Sequence, residues 1–494
     1  MYAARALLRS RLAPPSTVAK PCKSPTSACY QVFVRHTSTS TQDGSQSKTP
    51  ALDDLLGAEQ VGKAKTLSRE VGRLSRELDA VYSRQRGLNR VLKGPLTVRR
   101  VARAREWGGR VSVRDGRVFV ENKALSGEAE REIPKIWLRD NCQCGGCVHE
   151  TTRQRLLDTF SIPSDISIKS HSLNTNNVLS IEWSDGHTSE FTSQFLTSTV
   201  KPDHDKAIIR QGLKNVSLFD ASIASSPPRH TYTDERPTAI HTILSKIRQH
   251  GFCYIDNTPH STPTETETLL RRISFIRETH YGAFYDFTAD LASQDTAYTN
   301  IALEAHTDTT YFSDPAGLQA FHLLSHTEGS GGASLLVDGF KVAADLQVAD
   351  PQAYHVLATV NVHAHASGND GISIQPYRGF PVLEHDPATG ALLRVRWNTA
   401  DRAGVEMPIE TVGTWYEAAR KFDALLKEKR NEYWEQLTPG RVLIFDNWRV
   451  LHGRSAFTGK RRICGGYVNR DDWISRFKMG EFGREGVLGA LAEG

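Results

Sequence analysis

His306 and Asp308 stand two positions apart, behind a short apolar run, in Asn300-Ile-Ala-Leu-Glu-Ala-His-Thr-Asp-Thr-Thr-Tyr-Phe312. On an extended strand, residues two apart point to the same face, so an imidazole and a carboxylate would enter one cavity. A third ligand is expected from His452, in Asp446-Asn-Trp-Arg-Val-Leu-His-Gly-Arg454, where an apolar segment runs into a polar one. Two His and one carboxylate form the facial triad of non-haem Fe(II) oxygenases, which leaves positions open for a co-substrate and O2. A His-x-Asp pair alone is a weak sign, because many such pairs are surface polar residues. Its companions carry the argument. Nine residues beyond His452, Arg461 opens Arg-Arg-Ile-Cys-Gly-Gly-Tyr467. A planar guanidinium there suits a bidentate grip on a dicarboxylate, although the pattern alone does not separate Arg461 from Arg462.

Tyr281, Tyr285 and Tyr298 precede His306, and Tyr467 follows His452. Aromatic clusters are ordinarily core. Gathered around a cavity, their faces would instead cage a quaternary ammonium ion through cation–π attraction. A separate cluster lies upstream in Trp137-Leu-Arg-Asp-Asn-Cys-Gln-Cys-Gly-Gly-Cys147, where Cys142, Cys144 and Cys147 surround a tight Gly-Gly turn. Three thiolates in such a loop call for tetrahedral Zn2+ and a fourth ligand. His187, beside the Asp185-Gly186 turn, is expected to supply it in preference to His149, which would crowd the same loop. Four protein ligands would make that site structural.

The elements that must position these groups can be read from the pattern. Short alternating segments, Arg110-Val-Ser-Val-Arg, Arg117-Val-Phe-Val-Glu and Asn177-Val-Leu-Ser-Ile-Glu-Trp183, broken by Asp-Gly pairs, predict hairpins of a small β-rich zinc-binding domain over 106–205. The Ser- and Pro-rich text within 206–237 reads as a linker. From 238 to 494 many strand-like runs alternate with inserted helices, expected over 239–250, 263–278, 342–358 and 410–435. That pattern predicts a mainly β, double-sheet jelly-roll domain, a double-stranded β-helix. Residues 51–105 carry Leu and Val at near-helical spacing (Leu67, Val71, Leu74, Leu78, Val81) and predict an amphipathic helix. It would serve as a connector or as a packing arm against a partner subunit.

Composition excludes several classes. No apolar run among the 494 residues approaches the roughly 18–20 that span a membrane. The net charge of +5 is small and concentrated near the N-terminus, so a nucleic-acid binder is not expected. Arg5, Arg9, Arg11, Lys20, Lys23 and Arg35 precede the first acidic residue, Asp43, among many Ser, Thr and Ala. Such a start predicts a mitochondrial transit peptide over 1–50 and a matrix location. Seven cysteines, odd in number and clustered, are no disulfide framework.

Over about Val111 to Arg476 the chain resembles the γ-butyrobetaine hydroxylase and trimethyllysine dioxygenase family of Fe(II)/2-oxoglutarate oxygenases. The segments that carry the resemblance are Trp137-Leu-Arg-Asp-Asn-Cys, His306-Thr-Asp-Thr-Thr-Tyr-Phe, Gly331-Gly-Ala-Ser-Leu-Leu-Val-Asp-Gly-Phe340 and Asp446 to Arg454. The resemblance implies that His306, Asp308 and His452 hold iron and that Arg461 holds the distal carboxylate of 2-oxoglutarate, with help from Ser334. It implies a trimethylammonium cage of Tyr281, Tyr285, Tyr298 and Tyr467; Tyr285 replaces a Trp that family members often carry. It also implies zinc on Cys142, Cys144, Cys147 and His187. Asp295 would pair with the α-ammonium of trimethyllysine, and Asn398 would take the substrate carboxylate. Asp295, Thr309-Thr310-Tyr311-Phe312 and Tyr467-Val-Asn-Arg-Asp-Asp472 look like the trimethyllysine branch. The implied reaction is C3 hydroxylation of trimethyllysine with O2 and 2-oxoglutarate, giving succinate and CO2, as the first step of carnitine synthesis. Ascorbate is the implied reductant and a homodimer the candidate assembly. γ-Butyrobetaine hydroxylation is the alternative activity, and a non-catalytic jelly-roll scaffold the contrasting class.

Overall fold

The computed structural model describes residues 109–122, 130–199, 209–210, 212, 216–232, 237–288, 299–368, 371–387 and 390–490. The transit peptide expected over 1–50, the helix expected over 51–105, and Asp295 and Tyr298 lie outside the described residues. The N-terminal part has two antiparallel three-stranded sheets. The first holds β1 (Gly109–Arg114), β2 (Arg117–Asn122) and β3 (Arg131–Ile133) and leads into helix α1 (Lys135–Asp140). The second holds β4 (Ile168–Leu173), β5 (Val178–Trp183) and β6 (Thr188–Thr192), followed by α2 (Ser193–Thr199). Asp115 and Gly116 both take positive φ, 50° and 65°, as a two-residue hairpin turn demands. Alternate residues, Val118 and Val120 on β2 and Leu179, Ile181 and Trp183 on β5, enter one shared core with Leu138 of α1. The alternating segments of the sequence form paired antiparallel strands here.

The remaining described elements are β7 (Arg229–Thr231), α3 (Pro237–His250), β8 (Phe252–Asp256), α4 (Thr264–Ile273), β9 (Ile276–Arg277), β10 (Phe284–Thr288), β11 (Leu303–His306) and β12 (Leu318–Thr327). Next come β13 (Ser334–Asp338), α5 (Gly339–Ala349), α6 (Pro351–Thr359), β14 (Val362–Ala364), β15 (Leu383–His385), β16 (Leu392–Val395), β17 (Arg402–Val405) and α7 (Gly413–Leu426). The chain closes with β18 (Tyr433–Glu435), β19 (Val442–Asp446), β20 (Val450–Arg454), β21 (Lys460–Val468) and α8 (Arg470–Gly489). A seven-stranded sheet runs β10-β21-β12-β19-β8-β7, with β9 paired to β21, and a four-stranded sheet runs β11-β20-β13-β18.

The period of two sorts each strand. On β12, Leu318 and Ala320 pack outward beneath α3, α4 and α8, while Leu323 joins Phe252, Tyr254, Phe445 and Leu336 in the core between the sheets. On the small sheet Leu335, Val337 and Leu451 face outward to α5, α6 and α7, which turns Leu336 and Val450 inward. Each sheet therefore buries both faces, one against helices and one against the other sheet.

Two local expectations change. The Ser- and Pro-rich stretch is not a free linker: Phe219 is buried in the inter-sheet core and Arg229–Thr231 pairs parallel with β8. Its backbone amides are satisfied by tertiary partners, Phe219 N donating to Asp338 Oδ2 at 2.9 Å. The helix expected over 410–435 ends at Leu426, and Tyr433–Glu435 pairs with β13 instead. Arg449 and Asp338, both buried, tie these parts together: Arg449 bonds Asp338, Ser217 O and Gln249 O, while Asp338 also caps α5.

Candidate active site

The inward faces of β10, β11, β12, β20 and β21 line a cavity of about 780 Å3 that contains His306, Asp308, His452, Arg461, Ser334, Asn398, Tyr281, Tyr285 and Tyr467. His306 and His452 are direct cross-strand partners on β11 and β20, so their rings must share one face. Gly453 permits this pairing, since a Cβ there would meet Leu303 O at 2.5 Å. Asp308 lies just past the strand end. Its amide donates to Asn447 Oδ1 at 2.8 Å, and Asn447 Nδ2 donates to Asp308 O at 3.0 Å. The next residue, Thr309, is β-branched and yet takes φ +60°, a strained conformation of the kind that clusters at functional sites.

The three ligands are arranged for a small divalent ion. His306 Nε2 is 3.2 Å and His452 Nε2 3.8 Å from Asp308 Oδ1. Adjacent ligands at about 2.1 Å from one ion and at right angles would stand about 3.0 Å apart, so modest closure completes the set. His306 Nδ1 lies 2.7 Å from Glu304 O, to which it donates, leaving Nε2 free to ligate. The other carboxylate oxygen, Asp308 Oδ2, accepts from Gln319 Nε2 at 2.6 Å and from Tyr467 Oη at 2.8 Å. Those two donors turn Oδ1 toward the imidazoles. Burial alone would raise the Asp308 carboxyl, but the His452 and His306 imidazoles and the Tyr467 hydroxyl hold it well below the usual carboxylate range. Burial, above all, pushes His452 down to about 3, so its imidazole is neutral at neutral pH.

Arg461 separates cleanly from Arg462. Arg462 faces outward and pairs with Asp286 at 2.5 Å. Arg461 is buried, its Nε has no hydrogen-bond partner among the described residues, and it lines the cavity. Burial and the neighbouring Arg454 push it down to about 10, so it is charged at neutral pH and lacks a counter-charge. Gly332, at φ +72°, lets the chain pass close by, since a Cβ there would stand 3.2 Å from Arg461 Nε. Its Nη2 donates to Gly332 O at 3.4 Å, and a dicarboxylate in this position would take up the remaining Nε and supply the missing counter-charge.

Tyr285 and Tyr467 meet edge to face, with ring centroids 6.0 Å apart, and Tyr285 Oη donates to Ala320 O at 2.8 Å. Gly465 makes room for that hydroxyl, which would sit 2.7 Å from a Cβ. Tyr281 lines the same cavity against His280. Tyr467, expected in the cage, also donates to Asp308. Asn398 lines the cavity and is also engaged within the chain. Its amide Nδ2 donates to Asp401 Oδ2 at 2.8 Å and its Oδ1 accepts from Ala400 N and Asp401 N, so it braces a turn. Gln319 and Asp401 escape sequence reasoning because no local pattern marks them; Asn447 sits in the Asp446–Arg454 segment but gives no sign of reaching Asp308.

In the N-terminal part, Cys142, Cys144, Cys147 and His187 converge. His187 Nε2 stands 3.3, 3.6 and 3.5 Å from the three Sγ atoms. Tetrahedral ligands at Zn–S of about 2.3 Å and Zn–N of about 2.0–2.1 Å would be about 3.6 Å apart. Arg139 braces the loop, donating to Cys147 Sγ at 3.5 Å and to Asp185 at 2.7 Å.

Residues 219–467 match the family described as taurine catabolism dioxygenase TauD, TfdA family, and residues 124–197 match the N-terminal family described as gamma-butyrobetaine hydroxylase-like. Trimethyllysine dioxygenase of Neurospora crassa is 46% identical over 405 residues, 74% of this chain and 84% of the relative. The mitochondrial trimethyllysine dioxygenase of Homo sapiens is 37% identical over 348 residues, 70% of this chain and 82% of the relative. Gamma-butyrobetaine dioxygenase of Pseudomonas sp. strain AK-1 is more distant, 30% identical over 69% of this chain and 88% of the relative. The chain belongs to the trimethyllysine dioxygenase family, its C-terminal half being a TauD/TfdA dioxygenase domain.

Proposed function

We propose that this enzyme hydroxylates N6,N6,N6-trimethyllysine at C3, consuming O2 and 2-oxoglutarate and releasing succinate and CO2. The observation that carries the reading is one cavity holding a two-His-one-carboxylate set, a buried arginine without a counter-charge and tyrosines that meet edge to face. His306, Asp308 and His452 would hold Fe(II), which when bound supplies the oxidising chemistry that couples decarboxylation of 2-oxoglutarate to C–H hydroxylation. Arg461 binds the far carboxylate of 2-oxoglutarate, with Ser334 lining the same wall. Tyr281, Tyr285 and Tyr467 present π faces to the trimethylammonium group, with Tyr298 as a further candidate. Gln319 and Tyr467 fix Asp308, and the apolar cavity wall excludes water from the reacting carbon. Ascorbate as reductant, a homodimer, a jelly-roll closure of the two sheets, a matrix location and a place at the start of carnitine synthesis belong to the same reading.

Zinc on Cys142, Cys144, Cys147 and His187 is the structural counterpart, tying the 185–187 turn to the cysteine loop. No described helix is long and apolar enough to cross a membrane. The test is purified enzyme with Fe(II) and 2-oxoglutarate, offered trimethyllysine and γ-butyrobetaine separately, following succinate and product mass. Turnover of trimethyllysine in preference supports the reading. Turnover of γ-butyrobetaine alone moves the enzyme to the other branch, and no succinate with either would favour a non-catalytic role.

A further inference from the structure

The iron cavity has a second chemical character away from its tyrosines. The turn Asn398–Arg402, which leads into β17, places both Asp401 and Arg402 in the cavity wall. Asp401 is held in place by side chains: Asn398 Nδ2 donates to its Oδ2 at 2.8 Å, and Thr310 Oγ1, two residues beyond Asp308, donates to the same oxygen at 3.3 Å. Its backbone carbonyl accepts from His365 N at 2.9 Å, which anchors the turn to the neighbouring strand region. Arg402 lies over the rings of Trp415 and Tyr416, 5.5 and 5.7 Å from their centroids, and donates to Ala403 O at 3.1 Å. Both charged groups are therefore positioned before any ligand arrives. Their elements, the 398–402 turn and α7, are distinct from β10 and β21, which present Tyr285 and Tyr467.

Resting on the reading above, we propose that this turn recognises the amino-acid head of the substrate, Asp401 taking the α-ammonium and Arg402 the carboxylate. A zwitterionic head needs one anion and one cation within its reach, and Asp401 and Arg402 both line the cavity. The trimethylammonium end carries no hydrogen-bond donor and is suited to tyrosine faces; the head carries three N–H donors and is suited to a carboxylate. Asn398 then acts as a positioning residue for Asp401 rather than as the carboxylate's own ligand. Asp401 also becomes the discriminator against γ-butyrobetaine, which has no α-ammonium to offer it.

The experiment compares trimethyllysine with 6-(trimethylammonio)hexanoate, the same molecule without its α-amino group, in the parent enzyme, D401N, R402Q and D295N. Fe(II) content and thermal midpoint are measured for each variant. Asn at 401 keeps an acceptor for Asn398 and Thr310, so the turn is preserved. The expected result for D401N is a fall of roughly 10–100-fold in kcat/KM for trimethyllysine, mostly through KM. The desamino compound should change less than about threefold, collapsing the ratio between the two substrates. R402Q should lower both substrates alike, because both carry the carboxylate. An unchanged ratio in D401N, or a collapse in D295N with none in D401N, overturns the inference. Failure of the parent enzyme on both compounds overturns the proposed function, and this inference with it.

Discussion

Removing the hydroxyl of Tyr467 tests how the protein orients Asp308, the carboxylate proposed to bind iron. Tyr467 Oη and Gln319 Nε2 donate to the same oxygen of Asp308, at 2.8 and 2.6 Å. A hydrogen bond to a charged group contributes roughly 1.5–3 kcal/mol, and each 1.4 kcal/mol is about tenfold in affinity. Tyr467→Phe keeps the ring of the cage and loses only the donor, so Fe(II) should bind roughly 10–100-fold more weakly. Gln319→Leu should do less. The Gln319 Oε1 is buried without a hydrogen-bond partner among the described residues, and an apolar replacement removes that penalty of about 1 kcal/mol. Its net effect should therefore be about 2–30-fold. The assay is anaerobic titration with Fe(II) against a competing chelator, with thermal midpoints to confirm folding. If both variants bind Fe(II) within twofold of the parent, the donors do not set the geometry of Asp308 and the reasoning fails. An effect of Gln319→Leu larger than that of Tyr467→Phe would refute the weighing of the buried amide.

Other predictions address separate parts. Arg461→Lys should raise KM for 2-oxoglutarate by roughly 10–100-fold while leaving KM for trimethyllysine nearly unchanged, because a point charge cannot reproduce the bidentate fork; steady-state kinetics with each substrate varied would show it. One zinc per chain is expected by elemental analysis, and Cys144→Ser should abolish it while iron binding persists. Buried His322, with Nδ1 2.6 Å from Thr266 Oγ1, is pushed down to about 4 by burial and by the charge of His260. Below pH about 6.5 the unfolded chain takes up this proton and the folded chain does not, so stability should fall by on the order of 3 kcal/mol between about pH 6.5 and 4. Urea unfolding at stepped pH should show that slope, and His322→Gln should flatten it.

The His306–Asp308 pair was legible from its two-residue spacing behind an apolar run, although Asp308 falls just past the end of β11, and His452 because its segment runs from apolar to polar. The cysteine loop was legible from spacing alone. What escaped was long-range. Gln319 reaches Asp308 only because β12 turns its odd residues into the cavity, and Asp401 only because the 398–402 turn folds back beside Thr310. Composition misled within 206–237, where Ser and Pro suggested a linker but Phe219 and β7 are captured by the core and by β8. Asn398 does line the cavity, and its bonds to Ala400 and Asp401 were not legible because an amide's orientation depends on neighbours that a sequence does not display.

The central claim is that His306, Asp308 and His452 hold an iron that hydroxylates trimethyllysine at the expense of 2-oxoglutarate. The most direct measurement is the reaction under 18O2 with trimethyllysine, followed by mass analysis and fragmentation of both products. The account predicts one heavy oxygen in succinate and one in a hydroxyl at C3, in equal amounts, and neither product from His306→Ala. Succinate formed without labelled hydroxytrimethyllysine, or a hydroxyl on another carbon, would contradict it.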